Sequence, residues 1–352
     1  MRRLMVSSTK AFARIVARLL CVPALAGAAM PAAIAQGPAA APGYHIVDRI
    51  PMPDGWWDYA SFDPVHRRLF VARGNGVFKL DVDSGLMDDR IIPGSEGRAV
   101  VPLPGGDMVL ANMAGYSAAI LFAAEDGKVA KMFSLRQASD AALWEPIGQR
   151  LWVMGGHGEV SLLDPKTLQQ TGTIDLGEEL EFAVTDNHGR VFVNAPESAS
   201  VIAIDAASHK MLGRWKMKDC EDPSGLAYAD ASNVVLSVCA NKMLKVLDAR
   251  SGKELASLPV GGGADAVIYD PATHRAFIPS AFDGLLTVVG LFGPQDVRVL
   301  EQVPTQIGTR TGAIDPKTGT LYLPTARFGP INKLGWPEAL PGTVQLLVMK
   351  PN

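Results

Sequence analysis

Six charged residues and one glycine recur through the sequence at a nearly constant spacing. They are Asp58, Arg98, Asp140, Glu181, Gly225, Asp265 and Arg310, separated by 40, 42, 41, 44, 40 and 45 residues. Each lies five residues ahead of a turn signal: Asp63-Pro64, Leu103-Pro104, Glu145-Pro146, Asp186-Asn187, Asp230-Ala231, Asp270-Pro271 and Asp315-Pro316. Four carboxylates and two guanidinium groups can form a ligand or cation site. They can equally pair with one another and bind nothing. Oxygen ligands of this kind suit Ca²⁺ or Mg²⁺, and Asp140, Glu181 and Asp265 are the expected ligands if an ion is held at all. Acidic Glu221 and Asp222 stand just ahead of the gap at Gly225.

The elements that must position these groups repeat with the same period. After most of the turns comes a short apolar strand, as in Arg68-Leu-Phe-Val-Ala72, Arg150-Leu-Trp-Val-Met154 and Arg190-Val-Phe-Val-Asn194. A second turn follows, seen at Asp81-Val-Asp-Ser-Gly85, Asp164-Pro-Lys-Thr-Leu168, Asp205-Ala-Ala-Ser-His209 and Asp248-Ala-Arg-Ser-Gly252. Asp, Ser and Thr side chains can bond the backbone two residues on, and Gly supplies positive φ, so both turns have a mechanism. Four short strands in roughly 42 residues is a propeller blade. Seven turns give seven blades, an all-β fold of four-stranded antiparallel sheets over residues 44–352. The last repeat supplies only three strands, ending at Met349. Its fourth is expected from Tyr44-His-Ile-Val-Asp-Arg-Ile-Pro-Met52 at the other end of the chain, which closes the ring and removes an open sheet edge.

In such a fold the first strands begin at one mouth of the central channel, so the charged series should ring that mouth. An inner strand otherwise rich in small apolar residues has no packing reason to begin with charge. Loops of the same face carry Trp56, Trp57, Tyr59, Tyr116, Phe282, Arg327 and Phe328, residue types common at recognition surfaces. His157, within Gly155-Gly156-His157-Gly158, also lies there. The candidate ligand-binding residues are therefore Asp58, Tyr59, Arg98, Asp140, His157, Glu181, Asp265 and Arg310. No Gly-x-Ser-x-Gly, His-Glu-x-x-His or phosphate-loop motif is present, and no catalytic residue is assigned.

Met1 to Arg18 holds five basic residues and no acid, an uncharged run follows to Met30, and Ala33-Ile34-Ala35 offers small residues at both positions a signal peptidase reads. Residues 1–35 thus read as a signal peptide cleaved near Ala35-Gln36, and residues 36–43 as a flexible leader. The product is expected to be periplasmic or secreted. Without residues 1–35, 33 − 5 = 28 bases stand against 36 acids, a net of −8. That balance argues against nucleic acid as a partner. No later apolar stretch suits stable membrane insertion. Cys220 and Cys239 flank a hairpin that turns near Asp230, which brings them to disulfide range in an exported chain.

Phe62-Asp-Pro-Val-His-Arg-Arg-Leu-Phe-Val-Ala72, Cys220-Glu-Asp-Pro-Ser-Gly-Leu-Ala227 and Thr311-Gly-Ala-Ile-Asp-Pro-Lys-Thr-Gly-Thr-Leu-Tyr-Leu323 resemble the exported bacterial YVTN-repeat propellers of the YncE-like type. That family in turn resembles the propeller subunits of quinoprotein amine dehydrogenases and the seven-bladed lactonases. Three functions are open. The first is non-catalytic recognition, by a monomer without cofactor, of a small ligand or a periplasmic protein at the charged face. The second is a lactonase-like hydrolase with a divalent cation on the acidic ring. The third is an accessory subunit of a periplasmic electron-transfer system.

Overall fold

A computed structural model describes residues 43–331 and 337–352. The expected signal peptide, and the leader apart from Gly43, lie outside the described residues. Seven four-stranded antiparallel sheets follow one another along the chain. Blade 1 comprises Trp57–Asp63, Arg68–Arg73, Gly76–Asp81 and Met87–Pro93. Blades 2 to 6 repeat that order, with first strands at Gly97–Pro102, Ser139–Glu145, Ala183–Thr185, Pro223–Ala229 and Ile268–Asp270. Blade 7 is built from Ala313–Asp315, Thr320–Thr325 and Gln345–Pro351, and Tyr44–Pro51 is its outermost strand. The chain is a seven-bladed β-propeller.

Strand alternation explains how the blades pack. Side chains of a strand point to opposite faces in turn. In the second strand of blade 1, Leu69 and Val71 join Leu346 and Val348 of blade 7, whereas Phe70 and Ala72 join Val109 and Ala111 of blade 2. Seven apolar clusters result among the described residues, one for each pair of adjacent blades, blade 7 against blade 1 included. Every blade is thus sandwiched, and its second strand is buried on both faces.

The repeated turns are fixed as their composition requires. Asp63 accepts from the Val65 N–H at 2.9 Å, and Glu145 from the N–H groups of Ile147 and Gly148 at 2.8 and 2.6 Å. In the second turn, Asp248 accepts from the Ser251 N–H and hydroxyl at 2.8 and 2.7 Å, which holds its carboxyl below the usual range.

At the seam, Tyr44–Pro51 pairs antiparallel with Gln345–Pro351 from Tyr44↔Pro351 to Pro51↔Gln345. A second fastening joins blades 1 and 7. Arg67 Nη1 donates to both oxygens of the buried Asp315 carboxylate at 2.9 Å, and its Nε donates to Asp83 at 2.8 Å. Arg67→Ala is expected to cost about 2 kcal/mol, because Asp315 would keep only its own turn's donors. An unchanged denaturation midpoint would show that the N-terminal strand alone carries the seam.

Cys220 and Cys239 form a disulfide with Cα atoms 5.4 Å apart. It ties the approach to the first strand of blade 5 to the end of the second. Replacing both cysteines by serine is expected to cost about 3 kcal/mol in the chain-entropy picture, read from chemical denaturation. Equal stability of oxidised and reduced protein would contradict that. Among the described residues no helix is long and apolar enough to cross a membrane.

One element departs from the repeat. Between the second and third strands of blade 7 the chain forms a small hairpin, Phe328–Ile331 against Pro337–Ala339. It is anchored where the Leu340 N–H donates to Arg327 O at 2.7 Å and the Gly342 N–H donates to Asp54 at 2.7 Å.

Candidate functional site

The charged series lies at the starts of the first strands or in the loops just ahead of them, where the structure divides it in two. On one side Arg98 donates to Asp58 at 3.1 Å and sits 3.4 Å from Asp140, with its guanidinium 5.1 Å from the Trp56 ring centroid. On the other side Arg310 Nε lies 3.6 Å from Asp265, and its Nη2 donates to Trp57 O at 2.8 Å. Glu181 has neither an ion pair nor a side-chain hydrogen bond among the described residues. Gly225 interrupts the series for a steric reason. A Cβ there would lie 2.6 Å from the Ala266 backbone, so blade 5 can approach blade 6 only if this position is bare.

Above the second half of the ring opens a cavity of about 730 Å³. Glu181, Asp222, Asp265, Arg310 and Glu338 supply its charge, while Trp56, Trp57, Phe282, Ile307 and Phe328 give apolar walls. These residues come from the loops that lead into blades 1 and 4 to 7, and from the second-to-third-strand loops of blades 6 and 7. The blade 7 hairpin contributes Phe328, Glu338 and Ala339, so the element that breaks the repeat builds one wall. Trp56 packs over Gly74, where a Cβ would come within 2.5 Å of its indole nitrogen. Beneath it the buried Arg73 donates to Pro53 O and Asp54 O at 2.5 and 2.9 Å, holding the loop that carries both tryptophans. The Trp57 indole N–H, on a residue 5% exposed, has no partner among the described residues.

Crowded carboxylates dominate the electrostatics. Burial, reinforced by Asp265, pushes Asp58 up to about 7 against the pull of Arg310 and Arg98. Burial also pushes Glu181 up to about 9, aided by Asp265, Asp140, Asp58 and Glu179. Asp140 is raised by burial as well, although Arg98 counteracts it. Among the described residues the four ring acids stand against two arginines that are already engaged, and the protein meets the crowding by holding protons on Asp58 and Glu181.

Tyr59 lies inside the channel. It is buried, its ring is 4.6 Å from that of Phe182, and both line a second cavity of about 570 Å³ along the first strands. Burial and the neighbouring acids raise its hydroxyl well above its ordinary value. His157 is exposed on its loop, with its backbone N–H donating to Gln137 at 2.8 Å, and it lines neither cavity. Among the described residues the carboxylates that can converge on a cation are Asp140, Glu179 and Glu181, with one oxygen from each within 4.8 Å of the others. Asp265 faces Arg310 instead. Glu179 escaped the sequence reading because sampling one position per blade passes over a residue two places earlier.

No protein-family model and no curated protein matches the chain. Among solved structures, a chain from the crystal structure of a mitotic checkpoint complex superposes with a TM-score of 0.70 at 14% identity, covering 96% of this chain and 98% of that one. A chain of hydrazine synthase from Kuenenia stuttgartiensis superposes with a TM-score of 0.66, also at 14% identity, covering 86% and 97%. The likeness is one of fold alone.

Proposed function

We propose that the chain is an exported binding protein of the YVTN-repeat type, which takes a small, partly apolar ligand at the mouth of its channel and performs no catalysis on it. The observation that carries this reading is the cavity of about 730 Å³, with aromatic walls and a few fixed charged groups at its base. Ligand sites in general are clefts of about 300–1,000 Å³ built in that way. The disulfide suits the oxidising compartment that export implies. The test is a thermal-shift screen of small molecules followed by tryptophan fluorescence. Ligands that raise the melting temperature should perturb emission, and Trp56→Ala should abolish part of that response. A screen in which no small molecule stabilises the protein argues for a protein partner on this face.

The second reading, a hydrolase holding a divalent cation, gains one observation: the convergence of Asp140, Glu179 and Glu181. Ca²⁺ accepts several carboxylate oxygens in flexible geometry. Elemental analysis of protein purified without chelator decides it. A stoichiometric ion lost in Glu179→Gln supports this reading, and metal-free protein that Ca²⁺ does not stabilise removes it.

A further inference from the structure

We propose that the mouth cavity recognises an organic ammonium cation on an apolar body, and that Glu181 is the group that reads its charge. This assignment deepens the binding function proposed above and rests on it.

The argument begins with the arginines. An anionic ligand needs an available cation, yet both arginines of the ring are engaged. Arg98 donates to Asp58, lies beside Asp140 and has Trp56 close to its guanidinium. Arg310, the one ring arginine in the cavity wall, pairs with Asp265 and donates to Trp57 O. Glu181 is the converse case. It lines the cavity, has no cationic partner among the described residues, and has Asp265, Asp140, Asp58 and Glu179 as its charged neighbours. A ligand that brings positive charge supplies what this half of the ring lacks, and its approach favours the ionised form of Glu181 that burial and the neighbouring acids otherwise oppose.

The walls decide between a bare metal ion and an organic cation. Trp56, Trp57, Phe282 and Phe328 all line the cavity, and the rings of Trp57 and Phe328 lie 6.3 Å apart. The faces of aromatic rings carry negative quadrupole charge and attract alkylated ammonium groups, whose methyl groups also bury apolar surface. A hydrated metal ion would use neither property, and it needs far less room than about 730 Å³.

Three probes with one 4-phenylbutyl body test the assignment, ending in trimethylammonium, hydroxyl or carboxylate. Each is titrated into the full chain with chelator present, followed by tryptophan fluorescence and calorimetry. The ammonium is expected to bind about tenfold tighter than the alcohol, with the carboxylate weakest. Glu181→Gln should remove that advantage and leave alcohol affinity unchanged to within about twofold. Phe282→Ala, at an exposed rim position, should weaken the ammonium more than the alcohol. If the alcohol or the carboxylate binds as tightly as the ammonium, the cation assignment is overturned while the binding function stands. If none of the three binds, both fall. An ammonium preference that survives Glu181→Gln overturns the role of Glu181.

Discussion

A chain lacking residues 44–51 is expected to lose about 5 kcal/mol of stability or more, and to melt broadly instead of in one transition. The strand is fastened at several levels. It pairs with Gln345–Pro351 along its length. At its start Tyr44 is buried, packs edge-on against Phe277 at 4.8 Å and donates its hydroxyl to Gly319 O at 3.0 Å. Removing it exposes the apolar cluster between blades 6 and 7 and leaves Gln345–Pro351 as an open edge, which invites pairing with other chains. Repeat folds pass stability between neighbours, so the damage should spread from the seam. Differential scanning calorimetry with light scattering checks it. A truncated protein that melts within about two degrees of the parent, without aggregation, contradicts this account.

That strand is legible in the sequence because a repeat missing its last element announces the loss, and an unassigned apolar segment ahead of the first blade supplies it. The blades were legible for a related reason. Most of the turns are fixed by their own side chains, as where Asp63 or Asp248 bonds the backbone two or three residues on, so turn chemistry and chain spacing carry the same information. Counting back five residues from those turns located the charged mouth because each repeat keeps that spacing, even though four first strands pair irregularly at the sampled position. What escaped lies where local rules stop. Gly225 reads as a gap in a pattern, and only the backbone of Ala266 in another blade explains it. Gly329, Pro330 and Pro337 hide a hairpin behind a sequence that breaks strand alternation. Glu179 enters the acidic group from the loop ahead of Ala183–Thr185, where no strand pattern marks which side chains converge.

Stability is expected to fall by about 4 kcal/mol between roughly pH 5 and pH 9. Asp58 and Glu181 keep a proton in the folded chain over a range in which the unfolded chain has released it. That range runs from 3.8 to about 7 for Asp58 and from 4.5 to about 9 for Glu181. The folded state therefore binds more protons there, and stability must decline as pH rises. The contribution is complete below the ordinary carboxyl values and is gone once pH has passed the folded ones. Each such proton is worth about 1.4 kcal/mol per pH unit, reduced here by water at the mouth. Glu181→Gln removes its share without unmaking any ion pair, so at pH 8 the variant is expected to be more stable than the parent by about 2 kcal/mol. Asp140→Asn gives up the contact with Arg98 at 3.4 Å and should show no such gain. Urea denaturation across the pH range reads both. A flat parent profile, or a Glu181→Gln protein less stable at pH 8, would mean that the ring pairs internally and merely caps the channel. The opposite result sets a cost to folding at a residue lining the cavity, and a loss of cation affinity in the same variant would identify what that cost supports.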